Sequence, residues 1–219
     1  MGRRIQTTLI AAASLSLLAL AGCDSSPEQD PQALPSATVA PDRAKAPSGW
    51  ITRQGAGFQV SVPKDWTNRP DDRRGNPGAE LEIGPVYQGG SNIPPTFLAF
   101  VEREQVGPLE TRESILRAQL QSQIPEAKIG SPTQIKVAGA TTAVYFDLTY
   151  KSDAGTSVTG DKLAPQDMRQ RELLIETPGL PKYGFRYNAP AKKFDEDTFK
   201  KIAGSIVVRP ETASEAQGS

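Results

Sequence analysis

The sequence from Phe58 to Trp66 reads FQVSVPKDW, and the prediction of the fold starts from it. Apolar and polar side chains alternate along it, with Phe58, Val60 and Val62 on one side, which predicts a half-buried β-strand. Pro63 ends this strand, because proline has no N–H to donate to a neighbouring strand. A turn then returns Trp66 to the interior, where we expect its ring to fill the core.

Further segments with alternating or fully apolar patterns predict the other strands. They lie at residues 80–83, 96–101, 133–137, 142–150, 168–177, 183–187 and 205–208. The segment 96–101 is apolar on both faces, as in a central strand that is covered on two sides. The sequence Ala138-Gly139-Ala140 turns the chain between two of these segments and predicts a hairpin.

A first helix is predicted at residues 111–124. Thr111 is its expected N-cap, since a threonine hydroxyl can accept a hydrogen bond from a helical N–H that lacks a partner. The apolar stripe consists of Leu116, Leu120 and Ile124, with Ile115 beside it. Pro125 disfavours helical backbone at the residue before it and so ends the helix.

A second helix is predicted after Asp195, whose carboxylate is the expected N-cap. Phe194 can pack on Phe199 as a hydrophobic staple, and the two acidic residues after Asp195 suit the positive end of the helix. Gly204 is the expected C-terminal stop. Strands and helices are segregated and several strands are joined by hairpins, so the sequence predicts an α+β fold with a mostly antiparallel sheet and helices packed on it.

The chain also resembles a known family over residues 50–209. FQVSVPKDW resembles the F-x-V-x-x-P-x-x-W start of the PsbP/Mog1-like domains. Val137-Ala138-Gly139-Ala140, leading into the strand that ends at Tyr150, and the segment 194–208 are similar to the same group. Lipoproteins of the LpqN type, from the actinobacterial envelope, belong to it. The resemblance implies an α-β-α sandwich and an accessory protein that binds partners; it supplies no shared catalytic residues.

The N-terminus has the features of a lipoprotein export signal. Arg3 and Arg4 precede an apolar segment, residues 9–21, which is shorter than the roughly 20 residues that span a bilayer. Leu20-Ala21-Gly22-Cys23 resembles the bacterial lipobox, which implies cleavage between Gly22 and Cys23, an S-diacylglyceryl group on Cys23 and N-acylation, for example by palmitate. The alternatives are an ordinary secretory signal or an uncleaved membrane helix. We therefore expect a protein anchored by lipid to the extracytoplasmic face of the cell membrane.

Composition divides the remainder of the chain. Residues 24–48 are rich in proline and contain no aromatic residue, so they cannot bury enough surface to offset the entropy of ordering. We predict a signal peptide at 1–22, the lipidated Cys23 and a disordered tether up to residue 48, a single domain at 49–209, and a disordered tail at 210–219. A tether that folds on a partner is the alternative.

Several kinds of chemistry are excluded by composition. The chain has no histidine and one cysteine, Cys23, which removes Ser-His-Asp and Cys-His catalysis and imidazole zinc sites. The chain has 25 basic and 25 acidic residues, and this balance argues against nucleic-acid binding. We expect no cofactor, no metal and no enzymatic activity. Gly55-Ala56-Gly57 lacks the helix of a phosphate loop and is interpreted as a turn.

Three acidic groups remain as weaker candidates. Glu102 and Glu104 could act as paired carboxylates in glycan hydrolysis, although the end of a strand explains them more simply. The carboxylates of residues 195–197 could attract a cation, although helix capping explains them. The acidic segment 153–161 lacks the spacing of a calcium loop and predicts a flexible loop.

Function is the least determined property. The first hypothesis is a non-catalytic binding or accessory module for another envelope protein. The alternative is a carrier or sensor of a small apolar, lipid-like ligand, which needs an open cavity. Because loops carry function more often than core strands do, a partner surface is expected on the two long loops, residues 67–79 and 151–166.

Overall fold

A computed structural model describes residues 46–70, 75–76, 78–89, 93–104, 107–157 and 160–209. All of them belong to one unit of the chain, Val39–Ser219. The predictions for the signal peptide, Cys23, most of the tether and the C-terminal tail lie outside these residues. Among the residues described, no helix has the length and apolarity required to cross a membrane.

The described part of the chain is mostly strand, with two α-helices. The strands are β1 (Trp50–Gly55), β2 (Phe58–Pro63), β3 (Trp66–Asn68), β4 (Leu81–Pro85), β5 (Thr96–Glu102), β6 (Lys128–Ile129), β7 (Thr133–Ile135), β8 (Thr142–Lys151), β9 (Gly155–Thr156), β10 (Lys162–Leu163), β11 (Asp167–Glu176), β12 (Lys182–Pro190) and β13 (Val207–Val208). The helices are α1 (Leu109–Gln123), α2 (Glu196–Ser205) and a 3₁₀ helix (Ala191–Lys193).

One large sheet organises the domain. Its strand order is β3-β4-β5-β12-β11-β8-β6, and β7 also pairs with β8. The strand pairs of this sheet are antiparallel, which confirms the α+β class with an antiparallel sheet. The prediction that residues 96–101 form a central strand is also confirmed, because β5 lies between β4 and β12.

The inner face of the large sheet packs on a small sheet, β1-β2-β13, and on α2. Aromatic side chains fill the space between them. The Phe58 ring meets the Tyr183 and Phe185 rings edge-on, with centroids 5.9 and 5.3 Å apart. The Trp66 ring stacks on Tyr187 at 6.3 Å. The predicted roles of Phe58 and Trp66 in the core are therefore confirmed.

The prediction of a half-buried β2 was wrong. Gln59 and Ser61, on its polar side, are only 8% and 1% exposed. The reason is that β2 is the central strand of the small sheet, between β1 and β13. Where β13 ends, the Ser61 N–H instead donates to the Ser205 hydroxyl at 2.8 Å, so α2 closes the remaining edge.

The outer face is partly covered by α1. Leu120 packs with Phe146 and Leu148 of β8 in a second apolar cluster. The predicted N-cap was wrong: the N-cap is Pro108, without a side-chain hydrogen bond, and α1 already begins at Leu109. The buried Leu109 side chain anchors this earlier turn.

Ile115, predicted beside the apolar stripe, has a side chain that is 51% exposed. The stripe that faces the sheet is the row of residues spaced by four, Leu116, Leu120 and Ile124. Ile115 lies to one side of this row, where nothing in the second apolar cluster reaches it.

The start of α2 is as predicted, and its end is not. The Asp195 carboxylate accepts hydrogen bonds from the N–H groups of Asp197 at 2.9 Å and Thr198 at 3.1 Å. Gly204 is not the stop, because α2 continues through Ser205 and has its C-cap at Ile206. The Ser205 hydroxyl donates to the Ile202 carbonyl, so the last turn forms without a left-handed glycine.

Two hairpins complete the description. The interpretation of Gly55-Ala56-Gly57 as a turn is confirmed, because β1 and β2 pair with Gly55 opposite Phe58. β1 itself was not predicted. The expected loop 151–166 contains the small β9–β10 hairpin. The Ser157 N–H donates to the Asp161 carbonyl at 2.8 Å, which continues the pairing of the two strands by one hydrogen bond.

Candidate functional site

A pocket of about 260 Å³ lies on the outer face, over β4, β5 and β12. Its base is formed by buried strand residues, and its rim by three connecting segments. The lining residues are Arg69, Gly75, Asn76, Glu82, Tyr87, Ile93, Pro94, Thr96, Leu98, Thr156, Ser157, Leu163 and Asn188. Seven of these thirteen residues are polar or charged, so the lining mixes polar groups with apolar ones such as Ile93, Leu98 and Leu163.

Glu82 holds one wall of the pocket in place. Its side chain is 1% exposed, and its carboxylate accepts a hydrogen bond from the Arg69 guanidinium at 2.6 Å. It also accepts from the backbone N–H groups of Gly75 at 2.9 Å and Asn76 at 3.2 Å. A buried carboxylate needs such partners. The Glu82 carboxylate pairs with the Arg69 guanidinium, and its hydrogen bonds hold Gly75 and Asn76, which follow β3, over the sheet.

Asn188 supplies a different feature. Burial raises the pKa of the Tyr150 hydroxyl, and a hydrogen bond from the Asn188 side chain opposes that rise. Oδ1 of Asn188 is buried and accepts no hydrogen bond from any residue that the structure describes. An unsatisfied buried acceptor is costly.

Buried charge continues across the sheet beside the pocket. Glu82 lies opposite Leu98, Leu98 opposite Arg186, and Arg186 opposite Glu172. The Glu172 carboxylate, in a side chain that is 4% exposed, accepts from the Arg186 Nε–H at 2.5 Å. Gln170 also donates to Glu172, at 2.6 Å. These charges satisfy each other within the face.

The two long loops identified from the sequence meet at this pocket. Arg69, Gly75 and Asn76 come from residues 67–79, and Thr156, Ser157 and Leu163 from residues 151–166. The loops are distant in sequence, and they converge because β4, β5, β12, β11 and β8 are consecutive strands of one sheet. Whether this surface binds a partner stays a prediction.

Sequence reasoning missed the polar residues at the base of the pocket. Glu82 stands between Leu81 and Ile83, and such an alternation normally indicates a solvent-facing side chain. Asn188 follows the aromatic segment 183–187 and gave no separate signal. Glu82 is buried in the tertiary structure, where Arg69, Gly75 and Asn76 donate to its carboxylate.

The other candidate carboxylates do not form a site. Glu102 lies 2.6 Å from the Arg112 guanidinium, and Glu104 is exposed beyond the end of β5. Asp195 caps α2, and hydrogen bonds from Thr198 lower the pKa of its carboxyl. Within the part of the chain that the structure describes, no three acidic, cysteine or histidine residues come together to hold a metal ion.

A second depression, of about 580 Å³, lies along the β7–β8 hairpin. Residues 134–137 and 140–142 line it. All of them come from one continuous segment, and the one charged residue among them, Lys136, is exposed. Among the residues that the structure describes, the depression therefore brings together no groups from distant parts of the chain, and the pocket over β4, β5 and β12 is the stronger candidate.

The sequence matches no protein-family model and no curated protein. Among solved structures, the chain is similar to LpqN of Mycobacterium tuberculosis, a protein involved in cell envelope biogenesis, with a TM-score of 0.49 and 16% identity over 70% of this chain and 83% of that one. It is also similar to PA94, a protein of unknown function from Pseudomonas aeruginosa, with a TM-score of 0.44 and 14% identity over 74% and 98%. At these values the likenesses assign no family.

Proposed function

We propose that the chain is a lipid-anchored extracytoplasmic binding module, which docks on another envelope protein and catalyses no reaction itself. The observation that supports this most is that Arg69, Gly75 and Asn76 converge with Thr156, Ser157 and Leu163 at one pocket. Cys23 holds the module at the membrane in this proposal. The tether up to residue 48 gives it a reach on the order of 25–30 Å.

The charged residues support a binding role over a catalytic one. Arg69 and Glu82 are the charged lining residues of the pocket, and they bind each other. A general acid or base needs a carboxyl that can exchange a proton with a substrate. Glu82 instead accepts hydrogen bonds from the backbone N–H groups of Gly75 and Asn76, and Glu102 is held by Arg112.

The finer fold assignment is also a proposal. We place the domain in the PsbP/Mog1-like group, on the basis of the FQVSVPKDW sequence and of Val137-Ala138-Gly139-Ala140 before β8. α1 packs on the outer face of the large sheet and α2 on the inner face. This placement is what an α-β-α sandwich requires.

The anchor is tested with Cys23→Ala. Two acyl chains give stable membrane attachment, with about 0.8 kcal/mol per buried CH₂. We expect the variant to lose the gel-mobility shift of lipidation and to leave the washed membrane fraction. Firm retention of the variant in that fraction, with unchanged mobility, would rule the anchor out.

The binding role is tested by crosslinking in cells. The full lipidated chain is tagged and crosslinked, and the crosslinked peptides are identified by mass spectrometry. We expect one envelope protein in stoichiometric amount, with crosslinks at Lys151, which ends β8, and at Lys162 in β10. Crosslinks confined to lysines of α2, such as Lys200, would place the partner elsewhere and contradict the proposed surface.

A carrier or sensor of a small apolar ligand is the second candidate. The pocket itself favours it, because an adaptor requires no cavity. Its volume of about 260 Å³ is slightly below the range of about 300–1,000 Å³ that is usual for ligand pockets, which suits a small molecule. Extraction and mass spectrometry of small molecules from the purified protein test it.

The absence of glycan hydrolysis is tested with the double variant Glu102→Gln and Glu104→Gln. We expect cell-wall turnover to be unchanged, because neither residue lines the pocket. A loss of turnover at an unchanged protein level would support the hypothesis that Glu102 and Glu104 act in glycan hydrolysis.

A further inference from the structure

We infer that the domain rests on an anionic phospholipid membrane through the outer surface of the small sheet and of α2. We call Trp50, Lys200 and Lys201 the Trp50 surface. The inference deepens the proposed function and rests on it for the lipid anchor at Cys23. It adds an orientation of the domain, because the Trp50 surface and the pocket over β4, β5 and β12 lie on opposite sides of the large sheet.

The chain enters the domain beside Trp50. The Trp50 N–H donates to the Pro47 carbonyl at 3.0 Å, and the Lys64 N–H donates to the Gly49 carbonyl at 3.2 Å. These contacts fix the end of the tether at the start of β1. A short flexible tether gives an effective concentration on the order of millimolar, so a weak attraction between this end of the domain and the lipid is enough to bring them together.

The Trp50 side chain lies on the outward side of the small sheet. Trp50 pairs with Pro63, and Thr52 pairs with Ser61, and residues directly opposite each other in antiparallel strands share a face. The intervening Val62 is 0% exposed and belongs to the core. The Trp50 ring itself is half-buried. Tryptophan, with an apolar body and one polar N–H, favours the boundary between membrane and water.

Positive charge adjoins this ring. The Lys201 ammonium lies 5.9 Å from the centre of the Trp50 ring, and both Lys201 and the preceding Lys200 are exposed. The helix that carries them is joined to the small sheet, because the Ser205 hydroxyl accepts from the Ser61 N–H at 2.8 Å. The tryptophan ring and the two lysines therefore belong to one continuous surface.

Most carboxylates near α2 are already engaged by other groups. The Asp195 carboxylate accepts hydrogen bonds from the first N–H groups of the helix, and Glu196 pairs with Arg169 and Arg171 at 2.6 and 2.8 Å. Asp197 is exposed and remains as a negative charge. Four exposed lysines lie on the same segment of the chain, Lys192, Lys193, Lys200 and Lys201. The segment therefore presents an excess of positive charge to an anionic surface.

This charge gives the attraction a size and a salt dependence. A lysine close to an anionic membrane contributes about 1 kcal/mol, which is roughly a fivefold change in partition. Lys64 and Asp65 are both exposed at the same end of β2 and cancel each other. The attraction therefore comes mainly from Lys200 and Lys201, and salt should screen it because both side chains are in solvent.

The resulting orientation leaves the pocket accessible. The small sheet and α2 pack on the inner face of the large sheet, whereas the pocket, with Leu98 and Glu82 in its lining, lies on the outer face. A domain that rests on the Trp50 surface turns the pocket away from the bilayer. A protein partner can then reach the pocket without displacing lipid.

The experiment attaches the mature chain, residues 23–219, to vesicles. Its single cysteine, Cys23, is coupled to a maleimide phospholipid. One set of vesicles is phosphatidylcholine, and the other also contains phosphatidylglycerol; both contain brominated phosphatidylcholine, which quenches tryptophan on contact. We expect quenching and a blue shift of Trp50 only on the anionic vesicles, and a loss of both when the salt concentration rises from about 0.1 M to about 1 M.

Trp50→Phe is the matched control for fluorescence. The chain has two tryptophans, and the other, Trp66, is 7% exposed in the core. The signal that disappears in Trp50→Phe is therefore the signal of Trp50. Circular dichroism verifies that the variant is folded.

Charge variants test the two lysines. Partition of the unanchored chain, with Cys23→Ser, is measured by sedimentation with phosphatidylglycerol vesicles. Lys200→Gln together with Lys201→Gln should lower the partition by about 25-fold, at about fivefold for each lysine. Lys151→Gln together with Lys162→Gln removes the same charge from β8 and β10, where both lysines are exposed, and should leave the partition unchanged.

The results separate this inference from the anchor itself. The maleimide lipid replaces the natural anchor, so the vesicle result does not depend on lipidation of Cys23 in cells. Equal quenching of Trp50 on both kinds of vesicle, no quenching, or an equal loss of partition in the two lysine pairs would show that the inference is wrong. Crosslinks from Lys200 and Lys201 to an acidic protein in cells, without a preference for anionic vesicles, would assign the Trp50 surface to that protein and also overturn the inference.

Discussion

The Arg112 guanidinium of α1 lies 2.6 Å from the Glu102 carboxylate at the end of β5. The same guanidinium donates to the backbone carbonyls of Ile175 in β11 and Tyr183 in β12, each at 3.3 Å. The Arg112 side chain is 4% exposed. The buried Arg112 thus joins the first turn of α1 to three adjacent strands. It also pairs with Glu102, which the sequence analysis considered as a catalytic carboxylate.

Arg112→Met should destabilise the domain by about 2–4 kcal/mol. The substitution leaves two buried carbonyls and a carboxylate without their donor, and the loss of a donor to buried groups is expensive. Urea unfolding monitored by circular dichroism measures the change. Arg103→Ala is the control, because the Arg103–Glu80 pair is exposed on both sides and should contribute less than about 1 kcal/mol. Equal effects of the two variants would contradict the structural role of Arg112.

Glu82→Gln should weaken the hydrogen bonds that hold Arg69, Gly75 and Asn76 at the pocket. The amide loses the charge that pairs with Arg69 and weakens the acceptor for the N–H groups of Gly75 and Asn76. We expect a loss of about 1–3 kcal/mol in unfolding free energy. Hydrogen exchange at Gly75 and Asn76 should become faster, while exchange in β11 follows only the global change. The control is Glu80→Gln, whose carboxylate makes an exposed pair.

The stability of the domain should fall as the pH drops below about 4. Burial opposes ionisation of Asp147, but hydrogen bonds from Arg171 and Arg169 outweigh it and lower its pKa. The pKa of Glu196 is lowered in the same way. The folded-state pKa values lie below the unfolded values of about 3.9 and 4.3. The stabilisation by these ionised carboxylates is therefore complete above the unfolded pKa values and is lost as the pH falls through the folded pKa values.

Asp147→Asn tests this pH dependence. The variant should be less stable than the wild type at pH 7, and its urea midpoint should decline less between pH 6 and pH 3. Asp167→Asn, at the exposed start of β11, should follow the wild-type curve. If Asp147→Asn keeps the full wild-type slope, the ion pairs with Arg171 and Arg169 do not contribute to acid stability.

Two glycine substitutions should have opposite signs. Gly139 has a φ of +81°, and a Cβ there would meet the Val208 carbonyl oxygen at 2.0 Å. Gly139→Ala should therefore destabilise by several kcal/mol, on the order of 2–4. Gly204 lies inside α2 with open space around it, so Gly204→Ala should stabilise by roughly 0.5–1 kcal/mol. Differential scanning calorimetry measures both effects. If Gly204→Ala destabilises the domain, the conclusion that Gly204 does not end α2 is wrong.

Tyr187 should ionise only at very high pH. Burial raises its pKa to about 12, although a hydrogen bond from the Asp195 backbone acts to lower the pKa. Because the folded value exceeds the unfolded value of about 10, its contribution to stability is complete below pH 10 and is lost as the pH rises towards 12. Absorbance titration at 295 nm measures the ionisation. Tyr187→Phe should reduce the amplitude of the last phase and leave the earlier phases unchanged.

Local patterns were enough to locate most of the elements. The alternation of Phe58, Val60 and Val62 predicted β2, and the N-cap preference of aspartate predicted the start of α2 at Asp195. Both are properties of a few consecutive residues, because side-chain alternation and capping depend on local backbone geometry. The start of α1 was missed because Pro108 gives no side-chain hydrogen bond.

The candidate site was predictable only as two separate loops. The sequence indicated residues 67–79 and 151–166 by their length and polarity, but not that they cover one pocket. Their convergence depends on the strand order of the large sheet, in which β12 lies between β5 and β11. Strand order is set by contacts between distant segments, and one sequence does not display them.

The amino-acid sequence by itself determined the composition that excludes histidine chemistry, the predicted lipid anchor at Cys23, and the α+β class. Each of these follows from residue identity or from short-range periodicity. The tertiary structure alone decided that Glu82, Glu172 and Arg112 are buried and paired, although charged residues are usually exposed. Their environment depends on which loops and helices cover the outer face, because burial is a property of the packed chain as a whole.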